Sequence, residues 1–294
     1  MRVRGISLIA ATLLAAAPGC AAPRQGGVRP AAGAQRPEPV VESALPPADR
    51  RALDRALRRY LAGRPGRAAL AVHDRTTGAR YSFAERSPFL LASVAKVDIL
   101  LAFLLQRQQA RQPLTARERL LAARMIRHSD NDSAHELYRR VGGPHGLRRA
   151  LRALGVQHTE PGPGPYWGWT RSRPSDQVRV LEQLTDPEGP LTARHRRYAL
   201  TLMSTVERSQ AWGVGAAAPG GEAALKNGWL PVHDHGGLWT VNSVGRLAVH
   251  GHELLIAVLS ERSPDLATGV ATVERLAELA VRTLSRTGAG LSAA

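Results

Sequence analysis

The sequence predicts an α+β fold: an antiparallel five-stranded sheet flanked by helices, with an all-helical lobe inserted between its strands. Three observations carry this. Residues 68–83 ("AALAVHDRTTGARYSF") alternate in polarity, break at Thr77-Gly78 and alternate again, as a hairpin does. From 93 to about 208 the apolar spacing is helical. Strand patterns then return three times, at 223–230, 237–250 and 252–261, before a final helical stretch at 265–284. Strands at both ends with helices between them imply one sheet built from the two ends and a lobe built from the middle.

The elements follow in order. "MRVRGISLIAATLLAAAPGC" has a basic start, a short apolar run and small residues, which reads as an export signal over residues 1–20 rather than a membrane span. It ends on Cys20, the single cysteine, preceded by Gly19. This resembles a bacterial lipoprotein box, so a lipidated Cys20 and a cell-surface location are expected; ordinary signal cleavage and secretion is the other reading. One cysteine forms no disulfide within the chain. Residues 21–46 are rich in Pro, Ala, Gly and charge and read as a tether. The folded domain is expected over 47–287, with its helical lobe at about 93–208.

"PADRRALDRALRRYLA" (47–62) has helical spacing behind a Pro-Ala-Asp start. In the lobe, Thr115 and Glu118 form a capping box before "RLLAARMI". "NDSAHELYRRV", "PHGLRRALRAL", "PSDQVRVLEQL" and "ARHRRYALTLMSTV" follow as helices. Between the second and third of these lies "GVQHTEPGPGPYWGWTRSRPS" (155–175), a long Gly/Pro loop of the kind that is functional or disordered. Its Tyr166, Trp167 and Trp169 either wall a site or pack on the lobe.

The chain of 294 residues has a formal charge of +16 and is 44% hydrophobic, enough for a substantial core. The cations are scattered among Ala, Gly and Pro, with no basic run interleaved with aromatics, so no nucleic-acid partner is expected. Only two of the forty basic residues are lysines, Lys96 and Lys226. Arginine cannot shed its proton in a protein, whereas a desolvated lysine can.

Lys96 stands one helical turn after Ser93 in "FLLASVAKVDILLAFLL", which places Oγ and Nζ on one side of a helix. A neutral, partly buried lysine can take a serine's proton and make it a nucleophile. The bland reading of Ser93 is a helix cap. Ser129-Asp130-Asn131 lies between two helices, where Asn131 or Asp132 can cap the second; alternatively the hydroxyl relays a proton and the amide holds a substrate. Lys226 sits in an apolar strand before Asn227 and Gly228. It is either an edge-strand cation or part of a site in which Gly228 lets substrate lie along the strand. The N–H of Trp229 would then pair with that of Ser93 as an oxyanion hole.

Together, in this order, the three segments resemble the serine penicillin-recognising superfamily, that is, class A β-lactamases and D,D-peptidases, whose motifs are S-x-x-K, S-D-N and K-T-G or K-S-G. The resemblance spans roughly residues 47–287 in element order. It implies a β-lactamase/transpeptidase-like fold, Ser93 as the acylated nucleophile, Lys96 as its proton acceptor and Ser129 as a relay to the leaving nitrogen. It further implies that Asn131 holds a substrate amide and Lys226 provides positive potential for a substrate carboxylate. No cofactor is implied.

Two positions depart from that pattern. Asn227 replaces the hydroxyl residue of the third motif, where its amide is expected to donate to the carboxylate instead. The 155–175 loop lacks E-x-x-L-N; its one acid, Glu160, precedes Pro161 and reads as solvated. Deacylation is therefore expected to be slow. The substrate is expected to be a β-lactam or a peptidoglycan stem peptide ending in D-alanine, and the protein a monomer that meets the membrane only through a lipid anchor. A non-hydrolytic penicillin or peptidoglycan sensor and a Ser-Lys esterase remain open. "VHDHGG" (232–237), His250 and His252 can bind zinc by composition, but they fall at strand ends where polar turn residues belong, and no metal is expected.

Overall fold

The computed structural model describes residues 45–287. The expected signal segment, Cys20 and nearly all of the tether lie outside them. Leu45, assigned to the tether, is buried at 1% exposure and belongs to the folded domain.

Five antiparallel strands form the main sheet in the order β2-β1-β7-β6-β5: β1 (Arg67–Asp74), β2 (Arg80–Phe83), β5 (Glu222–Pro231), β6 (Trp239–Val249) and β7 (His252–Ser263). Successive strand side chains point to opposite faces, and the sheet separates two cores accordingly. On β7, Leu255, Ala257 and Leu259 join the helical lobe, whereas Leu254, Ile256 and Val258 face the terminal helices. Those helices, α1 (Pro47–Leu61) and α8 (Leu266–Thr287), cover one face.

The inserted lobe comprises α2 (Ala95–Gln109), α3 (Ala116–Arg127), α4 (Asn131–Arg140), α5 (Gly143–Ala153), α6 (Pro174–Thr185) and α7 (Ala193–Ser204). A helix apolar all round must be buried, and α2 is its centre: every residue from Ala95 to Leu105 is inaccessible. The Thr115–Glu118 capping box opens α3. Asp130, rather than Asn131 or Asp132, caps α4 by accepting from the Ser133 N–H at 2.8 Å.

A second, two-stranded sheet was not apparent from the sequence. It joins β3 (Phe89–Leu90) to β4 (Arg171–Ser172). Strands this short carry no periodic signal, yet this pair ties the end of the 155–175 loop to the segment that leads into Ser93. The Leu91 N–H adds a bond to the Thr170 carbonyl at 2.8 Å.

Candidate active site

Ser93 lies in a 3-10 turn (Ala92–Val94) that runs directly into α2. Two features fix this turn against the sheet, and both come from one paired position, Gly228 on β5 opposite Asn242 on β6. A Cβ on Gly228 would stand 2.6 Å from the Leu91 carbonyl oxygen and 2.7 Å from the Ser93 and Val94 nitrogens. The space beside Gly228 is therefore filled by the chain's own turn at Ser93, where the sequence suggested substrate. Asn242, fully buried, donates to the Leu90 and Leu91 carbonyls at 2.7 and 3.1 Å, and its Oδ1 accepts from the Ser260 N–H at 3.0 Å. Sequence reasoning missed Asn242, although an Asn inside the apolar run of β6 was an available signal. Ala92 is held at φ +51°, a left-handed conformation costly for a residue with a Cβ, on the order of 1–3 kcal/mol.

Lys96, one turn along, is wholly buried. Its Nζ lies 3.0 Å from Ser93 Oγ, 3.0 Å from Ser129 Oγ, 2.8 Å from Asn131 Oδ1 and 2.5 Å from the Ser129 carbonyl oxygen. The 3.6-residue period of α2 brings Nζ back over Ser93, and the cap at Asp130 starts α4 so that Ser129 and Asn131 flank the amine. Ser129 is itself left-handed at φ +57°. Lys226 reaches the same hydroxyl from the other side: its Nζ donates to Ser129 Oγ at 3.0 Å and to the Asn227 carbonyl at 2.9 Å. Ser129 Oγ thus bridges the two lysines of the chain.

Burial lowers the Lys96 pKa to about 7, with the charge of Asp130 opposing the shift. Lys226 is held well below the usual lysine range, first by burial and then by the neighbouring charge of Lys96. Near neutral pH Lys96 is therefore divided between free amine and ammonium beside the Ser129 hydroxyl.

Asn227 does not face this cluster. The two-residue period of β5 puts Lys226 and Gly228 on the lobe side and Asn227 on the other. There its amide donates to the Gln210 and Trp212 carbonyls at 2.9 and 2.8 Å. Both donors expected to meet a substrate carboxylate are engaged in holding the segment before β5. Trp229 shares that face, stacked edge-on against Trp212 with ring centroids 5.5 Å apart, so only its backbone is available to the cleft side.

The 155–175 loop is ordered by polar bonds. Thr159 Oγ1 is 2.7 Å from Ser172 Oγ and donates to Asp176 at 2.9 Å, and Gln177 donates to Ser172 Oγ at 3.1 Å. Beneath it Asp98, with no exposed surface, is pushed up to about 8 by burial. The carboxylate of Glu160 is exposed and pairs with Arg148 on α5. Trp167 is buried at 8% exposure with its ring centroid 4.8 Å from Lys96 Nζ, whereas Trp169 and Tyr166 are exposed at 39% and 62%. Of the three aromatics, only Trp167 walls the lysine. His252 pairs with Asp74 at 2.7 Å, and His233 and His235 lie on a short turn between β5 and β6.

The model for the beta-lactamase enzyme family matches residues 108–284, more than half of the chain. The chain belongs to this family. The match begins C-terminal to Ser93 and Lys96, so the assignment of those two rests on the geometry above. Among curated proteins, the putative lipoprotein LppW of Mycobacterium bovis and of Mycobacterium tuberculosis is 26% identical over 229 residues, 75% of this chain and 70% of theirs. Among solved structures, PBP-A superposes with a TM-score of 0.70 at 19% identity, covering 83% of this chain and 98% of that one. The TLA-1 extended-spectrum β-lactamase gives 0.72 at 17% identity, covering 81% and 99%. A class A β-lactamase representative from Bacteroides cellulosilyticus gives 0.70 at 17%, covering 81% and 99%. At these identities the structures show a shared fold. This member of the beta-lactamase family thus combines the family's sheet and inserted lobe with a lysine-flanked serine whose loop side is closed by an indole.

Proposed function

We propose that the protein is an exported serine hydrolase that forms an acyl-enzyme on Ser93 with β-lactams or D-alanyl peptides and releases it slowly. The observation that carries this reading is the environment of Lys96 Nζ: 3.0 Å from each of two serine hydroxyls and buried enough to be half neutral near pH 7. In acylation the Ser93 hydroxyl proton passes to Lys96 Nζ as Oγ bonds to the acyl carbon. The carbon–nitrogen bond of the substrate then breaks, and its nitrogen takes a proton from Ser129 Oγ, which Lys96 or Lys226 replaces. The Ser93 N–H at the start of α2 and the N–H of Trp229 are the proposed oxyanion donors, and Asn131 the proposed partner of a substrate amide.

Slow release is supported by what surrounds the amine. Trp167 occupies its loop side, and Glu160 is turned to solvent and to Arg148. A variant of the structural neighbour PBP-A was solved as an acyl-enzyme with penicillin G, and by analogy this chain would accept the same chemistry. The reading of a penicillin or stem-peptide trap that never turns over is favoured by the same indole. Export and lipidation at Cys20 are supported by the Gly19-Cys20 junction and by the lipoprotein name of its relatives.

Intact mass of the protein mixed with a penicillin, followed over time beside Ser93→Ala, tests the proposal. A persistent adduct on the wild type alone supports it. A transient adduct with penicillin loss would give it an efficient deacylating base and refute slow release. No adduct would refute the β-lactam reading in favour of another acyl donor such as an ester. The mass of the mature N-terminal peptide from membranes tests lipidation at Cys20.

A further inference from the structure

The outward face of α1 has an unusual composition. At about 100° per residue, Arg51, Arg55, Arg58 and Arg59 fall within an arc of about 100°, with Pro47, Ala48 and Ala52 exposed beside them. Leu53 and Leu57, the buried positions, lie on the opposite side. No acidic residue interrupts the basic arc: Asp54 sits at its edge, where it accepts from the Tyr81 hydroxyl at 2.6 Å. Among the described residues none of these four arginines makes an ion pair. On the lobe some arginines are paired. There Arg107 and Arg140 meet Glu118, Arg124 meets Asp130, Arg139 meets Glu136 and Arg148 meets Glu160. Other lobe arginines, such as Arg149 and Arg152 on α5 and Arg194 and Arg197 on α7, also lack an ion pair among the described residues, so what sets α1 apart is four unpaired arginines gathered on one exposed arc next to the N-terminal segment.

The position of α1 gives this face a direction. The helix packs over β2, with Arg50 stacked 5.1 Å from the Tyr81 ring centroid and Arg58 stacked 5.6 Å from that of Phe83. β2 is one edge of the sheet, and β5, which carries Lys226 and supports the Ser93 turn, is the other. Four strand spacings, roughly 19 Å, separate them. α1 is also the element joined directly to the N-terminal segment that carries Cys20, since the described chain begins at Leu45.

We propose that the arginine face of α1 docks on an anionic phospholipid bilayer and holds the Ser93 cleft on the side away from it. The ligand chemistry is the headgroup phosphate. A cluster of guanidiniums without ion-pair partners suits it because each can donate two parallel N–H bonds to phosphate oxygens. The docking is additional to any lipid at Cys20, and it makes membrane contact more than a matter of the anchor alone.

The test is vesicle flotation of the full-length chain carrying Cys20→Ser, so that no lipid is attached. Vesicles of phosphatidylcholine alone are compared with vesicles containing phosphatidylglycerol, at low and high salt. Each cation near an anionic surface contributes about fivefold to partitioning. The wild type should prefer the phosphatidylglycerol vesicles, and salt should erase the preference. Arg51→Gln, Arg55→Gln, Arg58→Gln and Arg59→Gln together should lower the preference by nearly three orders of magnitude, roughly 600-fold, while leaving the melting temperature unchanged. Arg194→Gln, Arg196→Gln and Arg197→Gln on α7 should leave the preference largely intact. A wild type indifferent to phosphatidylglycerol, or an α1 variant that binds like wild type, overturns the proposal. So does a soluble glycerol-phosphate polymer that displaces the protein from vesicles through the same arginines, which would assign the face to wall polymer.

Discussion

Replacing Gly228 with alanine should damage the protein through the backbone of the turn that carries Ser93, the proposed nucleophile. The new Cβ would stand 2.6–2.7 Å from three backbone atoms, the Leu91 oxygen and the Ser93 and Val94 nitrogens, against an ordinary contact of 3.4–4 Å. The turn must retreat by about 0.7 Å, or the strand must bow by as much. Neither yields freely. Asn242 holds the Leu90 and Leu91 carbonyls, and the Leu91 N–H is tied to Thr170. Overpacking of this kind costs about 1–3 kcal/mol, which at roughly 2–4 °C per kcal/mol for a domain of this size lowers the melting point by several degrees. Displacing a nucleophile by close to 1 Å slows its reaction on the order of a hundredfold. Thermal melting and the rate of adduct formation with penicillin, read by intact mass, measure the two effects separately. A Gly228→Ala protein that melts and acylates like wild type would refute the claim that this glycine seats Ser93.

Three further expectations follow from the site. With neutral Lys96 as the proposed proton acceptor and its pKa at about 7, acylation should rise about tenfold per pH unit below 7 and level off above it; a rate flat from pH 5 to 9 would remove Lys96 from that role. Asn227→Ala should lower stability by about 1 kcal/mol, since it strips donors from two partly buried carbonyls. Its effect on adduct formation should be small beside that of Ser129→Ala, and the reverse order would return Asn227 to substrate binding. Asp98 is raised from 3.8 to about 8 in the folded protein, so between about pH 4 and 8 the folded form keeps a proton that the unfolded chain has released. Stability from this group is therefore full below about pH 4 and lost as pH rises through 8. Asp98→Asn should flatten that decline in melting temperature, and an unchanged pH profile would show that Asp98 is ionised at neutral pH.

Much of this protein was written in one dimension. The periods of 2 and 3.6 fixed which stretches become strands and helices. The apolar run Ile99–Leu105 made α2 the buried centre of the lobe, because a helix apolar all round has nowhere else to go. Lys96 and Lys226, the only lysines among forty lysines and arginines, pointed to the candidate site before any contact was known. Tertiary structure decided the rest. That Gly228 serves the turn of Ser93, that Asn242 anchors it, and that Trp167 rather than an acid lies against Lys96 are all contacts between segments distant in sequence. Asn227 is the instructive miss. The parity of β5 already set it opposite Lys226, but only the packing of residues 208–217 showed what waited there, two carbonyls in need of donors. Sequence periodicity states which way a side chain points; what it meets depends on which other segment folds over it.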